Sequence, residues 1–146
     1  MELSLALTLP RDEQTVPVAR HIVRNAMEQV GVESTCVYDV ELALSEACTN
    51  VLLHSGPGDQ YKVRLDLEDR LSVIRVIDVG RGFDSARLQA EDTVANAERG
   101  RGLGLMEALV DRVDLTSRSE AGTIVTLEKI LTYDDEALLA GRGKQV

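Results

Sequence analysis

The chain is poor in aromatic side chains, histidine, cysteine and positive charge, and each shortage closes off a class of function. Aromatics make up 3% of the 146 residues and tryptophan is absent, so a core has to be built from Leu, Val, Ile and Ala, within an apolar content of 44%. The length suits one domain around one core. Cys36 and Cys48 form no CxxC pair, and the histidines are His21 and His54. Neither a zinc cluster nor a disulfide scaffold is expected; Cys48 falls in an apolar-periodic run as a small core residue. The formal net charge of −9 argues against a nucleic-acid or anionic-membrane surface, since both need clustered Lys and Arg. It leaves room for one nucleotide, held by a few local donors and a metal, or for a basic protein partner. No apolar run reaches the roughly 18 residues of a membrane span. The start, MELSLALTLPRDEQ, lacks the basic segment and cleavage site of a secretory signal, so a cytoplasmic protein is expected.

Familiar nucleotide and catalytic signatures are missing as well. There is no GxxxxGK[ST] phosphate loop. Gly80 and Gly82 are followed by Ser85 where GxGxxG needs glycine, and Gly100, Gly102 and Gly104 run as GxGxG. The HRD, DFG and VAIK set of protein kinases and the GxSxG elbow of hydrolases are absent too.

What is present is a clear alternation of elements. Leu3, Leu5, Leu7 and Leu9 alternate with Ser4, Ala6 and Thr8, which predicts a strand stopped by Pro10. Asp12 or Thr15 then caps a helix that tolerates Pro17 in its first turn, with Val18, Ile22, Val23, Ala26, Met27 and Val30 as its apolar stripe and Gly31 as its end. A second helix, capped at Ser34 or Thr35, runs to about His54, and its core stripe is Val40, Ala43, Leu44, Ala47 and Val51. A turn at 55–59, strands at 61–67 and 71–78, a loop over 79–101, a helix at 103–113 and strands at 114–118 and 123–131 complete the order. Strands grouped in hairpins with helices between them predict an α+β two-layer sandwich, a mixed, mostly antiparallel sheet covered on one face by helices.

Three features stand out from this frame. Glu46, Asn50 and His54 lie at i, i+4 and i+8 of the second helix, on one face beside its core stripe. As a solvated line they need no ligand. Asn is nonetheless a poor helix-interior residue, and its side-chain oxygen suits Mg²⁺, a hard cation completed by waters and phosphates, while Glu46 one turn away could act as a general base. His54 also fits a plain helix-end role. Asp78 ends an apolar strand and is followed by Gly80 and Gly82: either a plain tight turn, or an acceptor for an exocyclic amine such as that of adenine beside backbone a ligand can approach. Gly100, Gly102 and Gly104 open the third helix, where free N–H groups and the helix dipole would favour an anion, with Arg99 or Arg101 adding charge; a hinge without ligand is the other reading.

In this order the three features resemble the GHKL ATPase superfamily of gyrase, heat-shock chaperone, histidine kinase and MutL type. The single short domain is most similar to the anti-sigma factor serine kinases of the SpoIIAB and RsbW kind. LSEACTNVLLHSG resembles their N-box, VIDVGRGFD their G1 box, GRGLGLMEALVD their G2 box and GTIVTLEK their last strand, so that roughly residues 3–131 are covered. The resemblance implies the ATP-binding fold of that superfamily, with residues 1–132 as one domain, a lid at about 84–101, and 133–146 as a flexible tail. It implies Asn50 as the Mg²⁺ ligand, Glu46 as general base and Asp78 as acceptor for the adenine amine, with Thr123 nearby. Gly80 and Gly82 would shape the adenine side; Arg101, Gly102, Leu103 and Gly104 would lie at the phosphates. His54 is not implied as a phosphoacceptor, and no dimerisation domain bearing such a histidine fits in the chain. The implied function is an ATP- and Mg²⁺-dependent homodimer that sequesters a sigma factor and phosphorylates a serine of a STAS-domain antagonist. The alternative is an ATP- or ADP-binding module that holds a partner without transferring phosphate.

Overall fold

A computed structural model describes the chain at residues 2–54, 60–78, 103–118 and 122–134. The first strand, β1 (Glu2–Pro10), turns Leu3, Leu5, Leu7 and Leu9 inward and leaves the residues between them exposed. Asp12 then caps a single 3-10 turn (Glu13–Thr15), its carboxylate accepting from the Gln14 N–H at 2.9 Å, and helix α1 (Val16–Gln29) follows with Pro17 in its first turn. Its buried face is Val16, Ala19, Val23 and Met27, continued by Val30. Val18, expected in that stripe, is 45% exposed. Val23 and Met27 fix the face. Ala19 and Val16, four and seven positions before Val23, fall on the same side of the helix, whereas Val18 is turned about 100° away from Ala19.

Helix α2 (Ser34–His54) buries all five residues of its expected stripe, Val40, Ala43, Leu44, Ala47 and Val51. The hairpin β2 (Gln60–Glu68) and β3 (Leu71–Asp78) turns at Asp69, whose φ of 53° is a left-handed conformation that Asp tolerates better than most side chains. Helix α3 (103–109) is shorter than the predicted 103–113. The chain leaves it because Asp111 is drawn to the sheet: its N–H donates to the Glu128 carbonyl at 2.9 Å and its carboxylate accepts from the Ile130 N–H at 2.7 Å. Strand β4 (Arg112–Arg118) therefore starts two residues before the predicted 114, and pairs with β5 (Gly122–Ile130).

The strands order as β1-β2-β3-β5-β4, every pairing antiparallel. Tyr61, Val63, Leu65, Leu67, Ile74, Val76, Val125 and Leu127 form one face of the core, and α1, α2 and Met106 of α3 cover it. This is the predicted α+β two-layer sandwich. The other face carries charged pairs: the Asp66 carboxyl, held below the usual carboxylate range, accepts from the Ser4 hydroxyl and from Arg64, with Arg75 nearby. The predicted tail begins at Tyr133, yet Tyr133 is partly buried, bridges to Val32 and donates its hydroxyl to the Asp69 carbonyl at 2.7 Å. Residues 135–146, the turn at 55–59 and the loop over 79–101 lie outside the described residues.

Candidate active site

Polar side chains converge at one end of the helix-covered face. The strand register explains how. Tyr61 of β2 pairs with Asp78 of β3, and Leu9 of β1 with Tyr61. One step beyond the pair Ile77 and Ile124, the same register sets Asp78 opposite Thr123 of β5. Tyr61, Asp78 and Thr123 thus form one rung under the helices, with neighbouring Cβ atoms about 4.5–5.5 Å apart, and all three are buried. Strand alternation alone turns them inward, because Val63, Val76 and Val125, two residues away on the same strands, are core. Aligning a carboxylate and a hydroxyl in an apolar layer is costly unless they have partners.

The last turns of α2 lie at the same end. The Arg11 guanidinium, just past β1, donates to the Leu52 carbonyl at 3.1 Å and ties the strand's end to the helix. On α2, Asn50 is only 7% exposed and Glu46, one turn earlier, is partly buried. The Asn50 Oδ1 is buried without a hydrogen-bond partner among the described residues. Buried side-chain oxygens are rarely left so, and an acceptor oxygen held in this way fits a hard cation that takes few protein ligands and fills its shell with waters and phosphate oxygens. Among the described residues no three His, Cys, Asp or Glu side chains cluster as a metal site.

Cys48 of α2 lies close enough to Tyr61 of the rung to act on its phenol. The Tyr61 hydroxyl bonds the Thr15 hydroxyl at 2.7 Å. Burial pushes the Tyr61 phenol up to about 12, opposed by the Thr15 bond and reinforced by Cys48 and Asp12. Burial likewise pushes the Cys48 thiol up to about 12, as expected of an inert core cysteine; Cys36 is also free and buried. His21 sits on the α1 surface, where its Nδ1 accepts from Arg24 at 3.0 Å.

The sequence-derived site therefore divides three ways. Asp78 and Thr123 share the rung, and Glu46 and Asn50 share the face of α2. Leu103 and Gly104 begin α3, and a Cβ added at Gly104 meets no described atom within 4 Å, so packing does not demand glycine there. Gly80, Gly82, Arg101 and Gly102, and the side chain of His54, lie outside the described residues. Sequence reasoning did not single out Tyr61 or Lys129. The Tyr61 partner Thr15 is 46 residues away, and no local motif signals it. Lys129 closes the segment GTIVTLEK, but nothing in that segment marks it.

A model of the histidine kinase-like ATPase domain matches residues 9–129. Over 145 residues the chain is 33% identical to the serine-protein kinase RsbW of Bacillus pumilus strain SAFR-032, covering 89% of this chain and 87% of that protein. It is 32% identical over 139 residues to the serine-protein kinase RsbW of Bacillus subtilis strain 168, covering 87% and 85%. Similarity to an anti-sigma F factor of Bacillus licheniformis is 32% over 102 residues, 64% of this chain and 69% of that one. In fold, it matches a crystal structure of the RsbU and RsbW domains of a Mycobacterium tuberculosis protein with a TM-score of 0.70 at 23% identity, spanning 90% of this chain and 33% of that longer one.

Proposed function

The chain belongs to the histidine kinase-like ATPase family, and from that premise we propose that it is an ATP-using serine-protein kinase that is also an anti-sigma factor. It holds a sigma factor and, in partner-switching fashion, phosphorylates a serine on a STAS-domain antagonist. The observation that carries the reading is the buried Asn50 Oδ1, unpartnered among the described residues, one turn from Glu46 and at the same end as the buried Asp78–Thr123 rung.

In this reading Asp78 accepts from the adenine amine with Thr123 beside it. Gly80 and Gly82 let the backbone lie close to the base. Arg101, Gly102, Leu103 and Gly104 offer N–H groups and charge to the phosphates at the start of α3. Asn50 would hold Mg²⁺ through Oδ1; the ion, when bound, neutralises phosphate charge. Glu46 lies one helical turn before Asn50, with Cβ atoms about 5–6 Å apart, and takes the proton from the attacking serine hydroxyl. That oxygen forms its bond to the γ-phosphorus as the bond to the β-phosphate oxygen breaks and ADP leaves. Positioning and charge neutralisation supply most of the rate. Residues 1–132 act as the ATP-binding domain, with 84–101 as its lid, in a cytoplasmic homodimer. No described helix is long and apolar enough to cross a membrane.

The test is transfer of labelled γ-phosphate from Mg·ATP to a STAS-domain protein encoded beside this one. Label on a serine of that protein is expected. Tight nucleotide binding without transfer would replace the kinase by a regulatory module that holds its partner in an ATP- or ADP-bound state.

A further inference from the structure

Lys129 lies at the far end of β5 from Thr123, on the same inward-facing set as Thr123, Val125 and Leu127. A lysine in that set is unusual, since lysine is seldom buried without a partner. Its side chain is only 15% exposed. The ammonium donates to the Leu109 carbonyl at 2.8 Å, and it sits 3.7 Å from an Asp39 carboxylate oxygen. Leu109 is the last helical residue of α3, so the cation satisfies a carbonyl at that helix's C-terminal end, where positive charge is favoured. Asp39 is on α2, seven residues before Glu46. Seven residues are two turns, which brings Asp39 and Glu46 to within about 20° of one another around the helix.

One ammonium group thus ties together the strand that carries Thr123, the helix that carries Glu46 and Asn50, and the helix that opens at Leu103 and Gly104. The start of α3 lies about 9 Å along the axis from Leu109, so a tilt at the fastened end displaces the other. Asp111 holds the same end through its bonds to Glu128 and Ile130, but those bonds reach β5 alone and give α3 no tie to α2.

We propose that Lys129 is a positioning residue for phosphoryl transfer: by fastening the C-terminal end of α3 to Asp39 of α2, it fixes the phosphate-facing start of α3 relative to Asn50 and Glu46. The inference rests on the ATP-site reading above. A lost tie shifts the phosphates relative to Glu46 while leaving the adenine rung in place. Misplacement of about 1 Å far from the chemistry costs up to roughly a hundredfold in rate.

The test compares wild type, Lys129→Met, Lys129→Arg and Asp39→Asn for kcat of phosphoryl transfer, for ADP affinity and for thermal stability. In Lys129→Met, kcat is expected to fall roughly ten- to hundredfold, with ADP affinity falling by much less, because the adenine rung is untouched and only the ADP phosphates meet α3. Lys129→Arg, which still donates to the Leu109 carbonyl and faces Asp39, should recover the greater part of the rate. Asp39→Asn should lower kcat in the same direction and by less. A purely structural lysine would lower the melting temperature and leave the kcat of the folded protein unchanged; that result overturns the proposal. If Lys129→Met does not fold, Asp39→Asn decides: a wild-type kcat there overturns the proposal, and a lowered one supports it. Should wild type bind ATP without transferring phosphate, the ratio of ATP to ADP affinity replaces kcat, and an unchanged ratio in Lys129→Met overturns the proposal. Wild type that binds no ATP would instead overturn the underlying function.

Discussion

The two faces of the sheet follow the same alternation but treat their polar residues in opposite ways. On the open face, charges stand beside one another in water: Arg64 with Asp66, and Arg112 with Asp114 and Glu128. Exposed pairs of this kind contribute little, about 0–1 kcal/mol each. On the covered face the strands bury Leu, Val and Ile along most of their length, then place Tyr61, Asp78 and Thr123 together in one rung. A rung of buried polar groups under a layer of apolar side chains is a poor way to stabilise a sheet. Its position, at the same end of the covered face as the buried Asn50 oxygen, fits groups that serve a ligand. On the proposed function the contrast separates residues that hold the fold from residues that use it.

The largest expected effect comes from the site side. Glu46→Gln should lower phosphoryl transfer by roughly 10²–10⁴, the usual contribution of a general base, with ATP affinity and melting temperature near wild type. Transfer at the wild-type rate would remove Glu46 from the chemistry. Next is the fold side. Leu65→Ala on the covered face should cost about 2–5 kcal/mol in denaturant unfolding, and Arg64→Ala, its immediate neighbour on the open face, less than about 1 kcal/mol. Equal costs would erase the distinction between the faces.

Much of this division was legible in the sequence. The alternating leucines of β1 and the stripe of α2 are local periodicities, and both appear at the expected residues. Glu46, Asn50 and Asp78 were legible for another reason: a polar residue at a helix-interior or strand-end position departs from those periodicities. What the sequence hid depends on contacts distant along the chain. The early end of α3 is set by Asp111 meeting Glu128 and Ile130 across the sheet. Ala19 replaces Val18 in the α1 stripe because the helix face is fixed by what it packs on. The ties of Tyr61 to Thr15 and of Lys129 to Leu109 join residues 46 and 20 positions apart, and no short pattern encodes either.

A smaller effect distinguishes the buried ionisable groups from the exposed ones. The Cys48 thiol rises from 9.0 to about 12 and the Tyr61 phenol from 10.0 to about 12, each chiefly by burial. Both are raised above their unfolded values, so their contribution is complete below about pH 9 and is lost progressively as pH rises toward 12. Unfolding midpoints measured from pH 8 to pH 11 should therefore fall, and Cys48→Ala should fall less steeply over the lower part of that range. A flat profile in wild type would mean that these groups are not held neutral by the fold.

The most direct measurement is the Mg²⁺ dependence of ATP binding in wild type and Asn50→Ala, followed by calorimetric titration. If the buried Asn50 oxygen is a cation ligand, Mg²⁺ tightens ATP binding in wild type and the variant loses most of that gain while remaining folded. An Asn50→Ala protein that binds Mg·ATP as tightly as wild type, with the same Mg²⁺ dependence, would contradict the assignment of the buried Asn50 oxygen as the cation ligand.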